Sequence, residues 1–439
     1  MLRAVTCASR RGLARGLAAF AGGAACSLLA REERGAQCLS VLSAAPKGAP
    51  KDAPVTKGAG TDALASRYVL HEVLGRGRFG VVHRGTLKAT GEQVAIKILP
   101  KSSSAAAAPL LDEAELMRAL FWHPHVVNLL DSFETAESLV LVMDLCSGGE
   151  LFDRVVAMGS YTEADASEVM RYVMSAIAHC HSRGVAHRDL KPENIMLASQ
   201  DTAVDVRICD FGLAQHIEPG KPLRGKVGTV GYAAPEMLRG DPPTYSPRVD
   251  EYAVGVILFI LLGGYHPFDP DCAADDETIT RRVKRGQWGF HDDSWKSISE
   301  SAKGLLRKLL AADPKDRISA ADALEHPWLR GDAASDKPLL KSAARLAEYN
   351  EARGAWREAT RAAINREGLS TADRRSALAA AFRLIDANGD GQICRKELTV
   401  FLNRVEARAS PAEIDKMLSQ GDIDGDGLIS EAEFIAMNL

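Results

Sequence analysis

Residues 187–194 read HRDLKPEN, and the stretches that flank them at fixed spacing decide the fold. DFG follows at 210–212, whereas LGRGRFGVV at 74–82 and VAIK at 94–97 come earlier in the chain. Glycines between two strands let the backbone fold over phosphates and present its N–H groups to them. A dinucleotide-binding domain would continue from such glycines into a helix, but here a strand carrying Lys97 follows. The order of these stretches predicts a site for nucleotide phosphates.

Together with APE at 234–236, these stretches resemble the signature set of the eukaryotic protein kinases over residues 68–329. The resemblance implies an α+β fold, the two-lobed protein kinase fold, and transfer of the ATP γ-phosphate to a protein hydroxyl. Lys191, and Gly228-Thr229 ahead of Tyr232, are typical of the serine/threonine class rather than the tyrosine class.

The resemblance also gives the polar residues separate roles. Asp189 would orient and deprotonate the acceptor hydroxyl, while Asn194 and Asp210 would hold two Mg²⁺ ions. Lys97 would contact the α- and β-phosphates of ATP. The implied catalytic set is Asp189, Lys191, Asn194, Asp210, Lys97 and Glu113. The implied ATP-binding set is Leu74, Gly75, Gly77, Gly80, Val82, Ala95, Lys97, Met143, Asp144, Cys146, Glu150, Asn194 and Asp210, with Met143 as gatekeeper and 144–146 as hinge.

The same resemblance also assigns roles to two sets of acidic residues. Glu113 is the expected ion-pair partner of Lys97, and Glu115 is the alternative, which we expect on an exposed helix face. Glu150 and Glu193 match positions where related kinases bind an arginine of the substrate, because a carboxylate and a guanidinium form a bidentate pair. We therefore expect a preference for Arg three residues before the target Ser or Thr. An ordinary surface acid is the alternative for Glu150.

The segment from Gly212 to Gly228 contains no Ser, Thr or Tyr. Arg188, beside the predicted catalytic Asp, would usually meet a phosphate in this segment, and Glu218 is its one acidic substitute here. This composition favours gating by something other than phosphorylation of the segment. Elsewhere in the predicted kinase, Val254–Leu262 reads as a buried helix, and Arg317 is expected to pair with Glu236.

Two twelve-residue segments, 386–397 and 422–433, repeat the pattern D-x-[DN]-x-[DN]-G-x₅-E. In such loops, positions 1, 3 and 5 supply side-chain oxygens, position 7 a carbonyl and position 12 a bidentate glutamate, around a glycine at position 6. We predict two Ca²⁺ sites; acidic loops that bind no metal are the alternative. The predicted ligands are Asp386, Asn388, Asp390, Gln392 and Glu397 in the first loop and Asp422, Asp424, Asp426, Leu428 and Glu433 in the second.

Apolar residues around the loops predict an EF-hand pair. Ile393 and Ile429, at position 8 of each loop, should join the loops through a short strand. Cys394 replaces an oxygen at position 9, where ligation commonly runs through water, and should cost little affinity. The helices should pack through Leu378, Phe382, Ile385, Phe401, Leu402, Ile414 and Phe434.

Residues 337–368 predict a basic amphipathic helix between the kinase and the calcium loops, and such a helix is typical of a calcium sensor's target. A linker that packs into a core is the alternative. The whole arrangement resembles the calcium-dependent protein kinases of plants and protists, although that family typically carries four calcium loops and this sequence has two. The resemblance implies that the helix blocks the kinase until the calcium-loaded loops capture it, so deletion after Leu329 should give calcium-independent activity.

Composition sets outer limits on these predictions. With 46% hydrophobic and 26% charged residues the chain is not disordered as a whole, and a net charge of −4 does not indicate a nucleic-acid partner. Eight cysteines without a Cys-x-x-Cys pair indicate neither a zinc site nor a disulfide framework, and Cys146 and Cys209 are expected to be structural. No apolar run reaches the ~20 residues of a transmembrane helix.

The first 31 residues contain five arginines and no acidic residue, which is typical of a mitochondrial or plastid transit peptide. A secretory signal or a disordered tail of a cytoplasmic protein are the alternatives, and 46–61 reads as linker. We predict a disordered extension over 1–67, the kinase over 68–329, an autoinhibitory junction helix over 330–370 and an all-α EF-hand pair over 371–439. The expected partners are protein substrates with basic residues near the target, and the junction helix itself for the EF-hands; we expect a monomer.

Overall fold

The computed structural model describes residues 55–57, 60–77, 80–101, 113–120, 122–135, 137–202, 204–225, 227–271, 274, 276–351, 371–404, 411–423 and 426–438. The predicted ligand Asp424, and residues 352–368 of the predicted basic helix, lie outside these ranges. No helix in the described ranges has both the length and the apolar character needed to cross a bilayer.

The N-lobe is built on one six-stranded sheet. Strands rich in β-branched residues alternate faces, so that Val94, Ile96, Val140 and Val142 pack on one side around Phe133. A helix, α2, occupies residues 113–119. The strand order is β1-β5-β6-β4-β3-β2, antiparallel except for β1 with β5. The strands are β1 Val55–Lys57, β2 Tyr68–Gly77, β3 Gly80–Leu87, β4 Gln93–Pro100, β5 Leu129–Glu134 and β6 Ser138–Asp144.

Order begins before the predicted start of the kinase, because β1 and a helix α1, Gly60–Arg67, precede β2. The prediction of a disordered extension over 1–67 is therefore wrong for 55–57 and 60–67. The physical reason is contact with residues far along the chain. The edge of β5 offers its backbone groups to β1, and Arg67 pairs with Asp131, whose side chain is buried. A linker-like composition did not reveal these long-range partners.

The C-lobe is helical around α5, Val249–Gly263, in which every residue is buried. Its sequence is apolar on all sides after the first turn, as a helix at the centre of a large core requires. This agrees with the prediction for 254–262. The other helices are α3 Leu151–Met158, α4 Glu163–Ser182, α6 Asp276–Lys284, α7 Glu300–Leu309 and α8 Ala320–Leu324. Short strand pairs join β7 Val185–Ala186 to β10 Gln215–His216, β8 Ile195–Leu197 to β9 Val206–Ile208, and β11 Leu223–Arg224 to β12 Thr244–Tyr245.

A helix α9 over 340–351 follows the C-lobe, and a separate apolar cluster holds the C-terminal helices together. As predicted, Ile393 lies opposite Ile429 in a two-stranded ladder. The predicted apolar positions Leu378, Phe382, Ile385, Phe401, Ile414 and Phe434 are buried. The elements are α10 Thr371–Ile385, β13 Gln392–Ile393, α11 Arg395–Arg404, α12 Pro411–Gly421, β14 Ile429–Ser430 and α13 Glu431–Asn438.

Candidate active site and calcium-binding loops

An ion-pair cluster around Lys97 occupies the cleft between the lobes. Lys97 Nζ lies 2.7 Å from Glu113 Oε1 and 2.9 Å from Asp210 Oδ1, whereas Glu115 is exposed on the other side of α2. Burial works to lower the pKa of Lys97, but the two carboxylates outweigh burial and raise it. Burial works to raise the pKa of Asp210, yet Lys97 makes the net shift downward. Asp210 is therefore ionised and chemically suited to hold a metal ion.

The loop after β7 presents Asp189 beside two partners. Asp189 Oδ1 accepts a hydrogen bond from Thr229 Oγ1 at 2.9 Å, and its Oδ2 lies 3.3 Å from Lys191 Nζ. Asn194 Nδ2 donates to the main-chain carbonyl of Asp189 at 2.7 Å, so its amide oxygen is the atom that can serve as a metal ligand. The structure thus brings Asp189, Lys191 and Asn194 together as the motif predicted.

A buried carboxylate on α5, Asp250, supports this loop. Asp250 accepts hydrogen bonds from the main-chain N–H groups of His187 and Arg188 at 2.9 and 2.8 Å. His181 Nε2 lies 2.8 Å from Asp250 and its Nδ1 lies 3.4 Å from Glu251. Burial works to lower the pKa of His181, but these two acids raise it to about 10. His181 is therefore a partly buried cation, and no local sequence pattern predicted it.

Arg188 contacts neutral hydrogen-bond acceptors in and near the activation segment, residues 210–236. Its guanidinium donates to the Leu213 carbonyl at 2.8 Å and to Gln215 Oε1 at 2.6 Å. It also donates to the Arg224 carbonyl at 3.1 Å and the Tyr245 hydroxyl at 3.2 Å.

The expectation that Glu218 substitutes for a phosphate is therefore wrong. Glu218 pairs with Lys221, three residues away on the exposed turn. Main-chain carbonyls and the distant Tyr245 supply acceptors to Arg188 instead, and a count of acidic residues in the segment does not reveal them.

Strand register brings predicted nucleotide-binding residues together. Val82 lies opposite Lys97, and Ala95 lies opposite Met143. The turn between β2 and β3 joins Gly77 to Gly80, with Gly75 and Leu74 on β2 before it. A side chain on Gly80 would approach the Ile98 carbonyl oxygen to 2.1 Å, so only glycine fits there.

The hinge after β6 is held from both sides. Asp144 accepts a hydrogen bond from Asn128 Nδ2 at 2.7 Å and pairs with Arg207 Nη1 at 2.7 Å.

Burial raises the pKa of the Cys146 thiol to about 11 and that of Cys209 well above its usual value. Both thiols are therefore protonated at neutral pH, which agrees with a structural role.

The two acids predicted to bind substrate arginine lie on neighbouring elements. Glu150 directly precedes α3 and forms an isolated bridge with Met196, while Glu193 lies in the single 3₁₀ turn Pro192–Asn194. Helix α3 packs against that turn, and both side chains are partly exposed. Both acids therefore lie on elements next to the loop that carries Asp189, and we call the surroundings of Asp189 the acceptor region.

The first calcium loop is closed by its own backbone. Asp386 accepts hydrogen bonds from the N–H groups of Asp390 and Gly391, and Glu397 accepts from Asn388 and Cys394. Gly391 has φ +84°, the left-handed conformation that the sharp turn requires. Position 7 belongs to Gln392, whose backbone carbonyl is the predicted ligand and whose side chain donates to Asp426 of the other loop at 3.2 Å.

The second loop repeats this geometry. Asp422 accepts from Gly427 N–H, Asp426 from Leu428 N–H, and Glu433 from Ile423 and Ser430 N–H. Within the described ranges, no three His, Cys, Asp or Glu side chains converge on one metal position. The fit to Ca²⁺ therefore rests on the oxygen donor set, its order along the loop and the left-handed glycines.

Helix α9 lies across the C-lobe and reaches the activation segment. The Tyr349 hydroxyl is 3.2 Å from the Tyr232 hydroxyl, and its ring meets Phe152 edge-on with centroids 6.5 Å apart. Asn350 Nδ2 donates to Asp153 Oδ1 at 2.7 Å. These contacts place the C-terminal part of α9 on the kinase.

Two further contacts fix the first turns of α9. The Arg345 guanidinium stacks 4.2 Å from the Tyr265 ring centroid and pairs with Asp292 at 2.6 Å. Leu346 is fully buried. Gly264, at φ +79°, allows close approach, since a methyl group there would lie 2.5 Å from the Ser342 carbonyl oxygen.

Comparison with known proteins gives the same two regions. The protein kinase domain family matches residues 68–329, and the EF-hand domain pair family matches 375–437. Calcium-dependent protein kinase 9 of Arabidopsis thaliana is 39% identical over 377 residues, which cover 85% of this chain and 68% of the relative. Calcium-dependent protein kinase 19 of Oryza sativa subsp. japonica is 37% identical, over 89% of this chain and 72% of the relative.

Among solved structures, the twitchin kinase fragment of C. elegans is similar, with a TM-score of 0.63 and 34% identity. The match covers 70% of this chain and 67% of that fragment, which comprises an autoregulated protein kinase and immunoglobulin domains.

Proposed function

This chain belongs to the calcium-dependent protein kinases and is a calcium-regulated serine/threonine kinase, and from that premise we propose which of its residues carry catalysis, specificity and regulation. ATP, Mg²⁺ and Ca²⁺ are the small ligands of this activity.

For catalysis, we propose that Asp189 accepts the proton of the acceptor hydroxyl while Lys191 neutralises charge that develops beside it. The observation that carries this role is the contact of Asp189 with both Thr229 and Lys191. Lys97, held by Glu113, would bind the α- and β-phosphates. Because phosphoryl transfer needs little covalent work from the protein, positioning and charge neutralisation supply most of the rate.

Asn194 and Asp210 are the proposed magnesium ligands. Both offer side-chain oxygens beside Asp189 and Lys97, which is the donor chemistry that Mg²⁺ prefers. Bound Mg²⁺ would neutralise the phosphate oxygens of ATP.

For specificity, we propose that Glu150 and Glu193 bind an arginine three residues before the target. Their support is that both carboxylates border the acceptor region from adjacent elements. A positional-scanning peptide array on the full chain tests this: Arg at that position should raise kcat/KM, and Glu150→Gln should reduce the preference by roughly 10-fold, the worth of a charge-assisted hydrogen bond.

The matched control for this array is Glu300→Gln, an exposed acid on α7, a helix that packs against α5. It should leave the preference unchanged. Indifference of the wild-type enzyme to Arg at this position would contradict the proposal while leaving the kinase assignment intact.

For regulation, we propose that α9 blocks protein substrates when calcium is absent. Tyr349 covers Tyr232 at the end of the activation segment and Phe152 on α3, both of which adjoin the acceptor region. Calcium binding to the two loops would open an apolar surface that competes for this helix and for 352–368. Activity on an Arg-containing Ser peptide should then rise strongly from excess chelator to micromolar free calcium; equal activity in both would contradict the model.

A further inference from the structure

The kinase family match begins at residue 68, yet the chain before it is part of the N-lobe. We define the N-terminal brace as β1 and α1, residues 55–57 and 60–67. Strand β1 pairs in parallel with β5, with Val55 opposite Ser132 and Lys57 opposite Glu134. The brace therefore covers what would otherwise be an open edge of the sheet.

The brace is anchored by one ion pair at its end. Arg67 Nη1 lies 2.5 Å from Asp131 Oδ2, and the Asp131 side chain is 2% exposed. The Arg67 guanidinium also lies 5.6 Å from the ring centroids of Tyr68 and Phe133. Arg67 is itself exposed, but its partner is buried. A buried carboxylate without its cation is costly, so Arg67 matters more to β5 than an arginine paired with an exposed acid would.

Other contacts keep α1 in place against the sheet. The Ala65 carbonyl accepts from Lys88 Nζ at 2.5 Å, and the Arg67 carbonyl accepts from Lys88 N–H at 2.8 Å. Leu64 packs against the apolar cluster around Phe133. The brace is therefore held by the turn after β3 as well as by β5.

From β5, a short route leads to the cleft. Ser132, fully buried, accepts a hydrogen bond from Arg118 Nη2 at 2.6 Å. Arg118 is on α2, the same short helix that carries Glu113. Glu113 in turn fixes Lys97 at 2.7 Å. The residue beside Asp131 thus contacts the helix on which the catalytic ion pair depends.

We propose that the N-terminal brace positions α2 for catalysis, with Arg67 as its positioning residue acting through Asp131, Ser132 and Arg118 on Glu113. The proposal rests on the kinase assignment of this chain, and on neither the arginine preference nor the calcium switch. Loss of the Arg67 charge leaves the buried Asp131 carboxylate with two neutral donors, the Tyr68 hydroxyl and the Ser132 N–H, and no cation. That imbalance shifts β5 or draws in water, and either change loosens the contact between Ser132 and Arg118.

The test uses the full chain in saturating calcium with an Arg-containing Ser peptide. Arg67→Met should lower kcat roughly 10-fold, less than the ~10²-fold that a 1 Å misplacement of catalytic groups costs. KM for ATP should rise, since Lys97 grips the phosphates, and KM for the peptide should stay unchanged. Arg67→Lys, which keeps the charge, should recover most of the activity and serves if the Met variant folds poorly.

The matched control is Arg84→Met, which removes an arginine of the same lobe whose pair with Glu72 is exposed. It should leave kcat and both KM values as in the wild type. Equal losses in Arg67→Met and Arg84→Met would overturn the proposal.

A second comparison tests the route itself. Ser132→Ala removes the acceptor for Arg118, so adding Arg67→Met to it should lower kcat little further; fully additive losses would overturn the proposal. Hydrogen exchange of amides 113–119 should rise in Arg67→Met while exchange in α5 stays protected, and a rise across both lobes would instead indicate general destabilisation and overturn it. An inactive wild type would refute the kinase assignment, and the exchange measurement would still decide the role of the brace.

Discussion

The catalytic cleft and the first calcium loop are both built on carboxylates, but they balance the negative charge differently. In the cleft, Lys97 reaches Glu113 and Asp210, 16 and 113 residues away in sequence. In the loop, Asp386 and Glu397 contact backbone N–H groups of the same twelve-residue segment, and no described Lys or Arg forms an ion pair with them. The cleft carries its own cation, whereas the loop has oxygen donors whose charge a divalent ion would neutralise.

This difference explains how one chain can keep its catalytic groups constant while calcium changes the access of protein substrates to them. Tertiary structure fixes the ion pairs of the cleft, and none of their members belongs to a calcium loop. The loops are the part whose electrostatics change when the ion arrives, and α9 lies between the kinase and the loops in the sequence.

The largest effect is expected from a substitution that disrupts only the first calcium loop. Glu397→Gln removes the bidentate ligand at position 12, so the free calcium needed for half-activation should rise about 10- to 100-fold. Activity at saturating calcium should remain near that of the wild type, because no cleft contact changes. Calcium titration of peptide phosphorylation measures both values. Glu431→Gln, an acid of the second loop outside the ligand positions, is the control and should not shift the titration.

A smaller effect is expected at the contact between regulation and catalysis. Tyr349→Ala removes the ring contact with Phe152 and the hydroxyl contact with Tyr232, together worth roughly 1 kcal/mol, so activity in chelator should rise about 5-fold. Activity in saturating calcium should not change. Leu340→Ala, on the same helix but 65% exposed, is the control. A Tyr349→Ala enzyme as silent in chelator as the wild type would remove the main support for the blocking role of α9.

This substitution is a sharper test than deletion after Leu329. The main-chain N–H of Leu339 donates to the Tyr161 carbonyl, and Leu339 and Leu346 are buried. Deletion would therefore strip packing from the C-lobe along with the regulatory contact.

The smallest expected effect concerns the ion pair between His181 and Asp250, which supports the loop that carries Asp189. The folded state raises the pKa of His181 to about 10, so it binds the proton more tightly than the unfolded chain does. The stability that this ion pair contributes is complete below about pH 6.5 and is lost as pH rises through about 10. His181→Gln should lower Tm by roughly 2–4 °C at pH 6.5, with a difference that shrinks towards pH 10. Thermal unfolding across this range measures it, and a difference that grew with pH would contradict the assignment.

Sequence reasoning worked best where chemistry is confined to short motifs. Asp189, Lys191 and Asn194 lie within six residues, so their proximity follows from the chain itself. The choice of Glu113 over Glu115 came from the family resemblance, and it agrees with helix geometry, since residues two apart on a helix point to different sides. The calcium loops could be predicted for the same reason, because the ligand positions and the glycine of each loop lie within one twelve-residue segment.

It worked least well where partners come from distant segments. The acceptors of Arg188 include Tyr245, 57 residues away, so inspection of the activation segment pointed wrongly to Glu218. The anchor of the N-terminal brace joins Arg67 to Asp131 across the sheet, and linker-like composition concealed it. Such pairs depend on which strand edges and buried charges meet in three dimensions, and periodicity carries no information about that.

The neutral acceptors around Arg188 have a consequence for timing. Gln215, Tyr245 and two main-chain carbonyls hold this arginine without any group that another enzyme must add or remove. Each pulse of calcium would then leave this segment chemically unaltered. The duration of the output would follow how fast the ion dissociates and α9 settles back onto Tyr232, so repeated pulses would be answered alike.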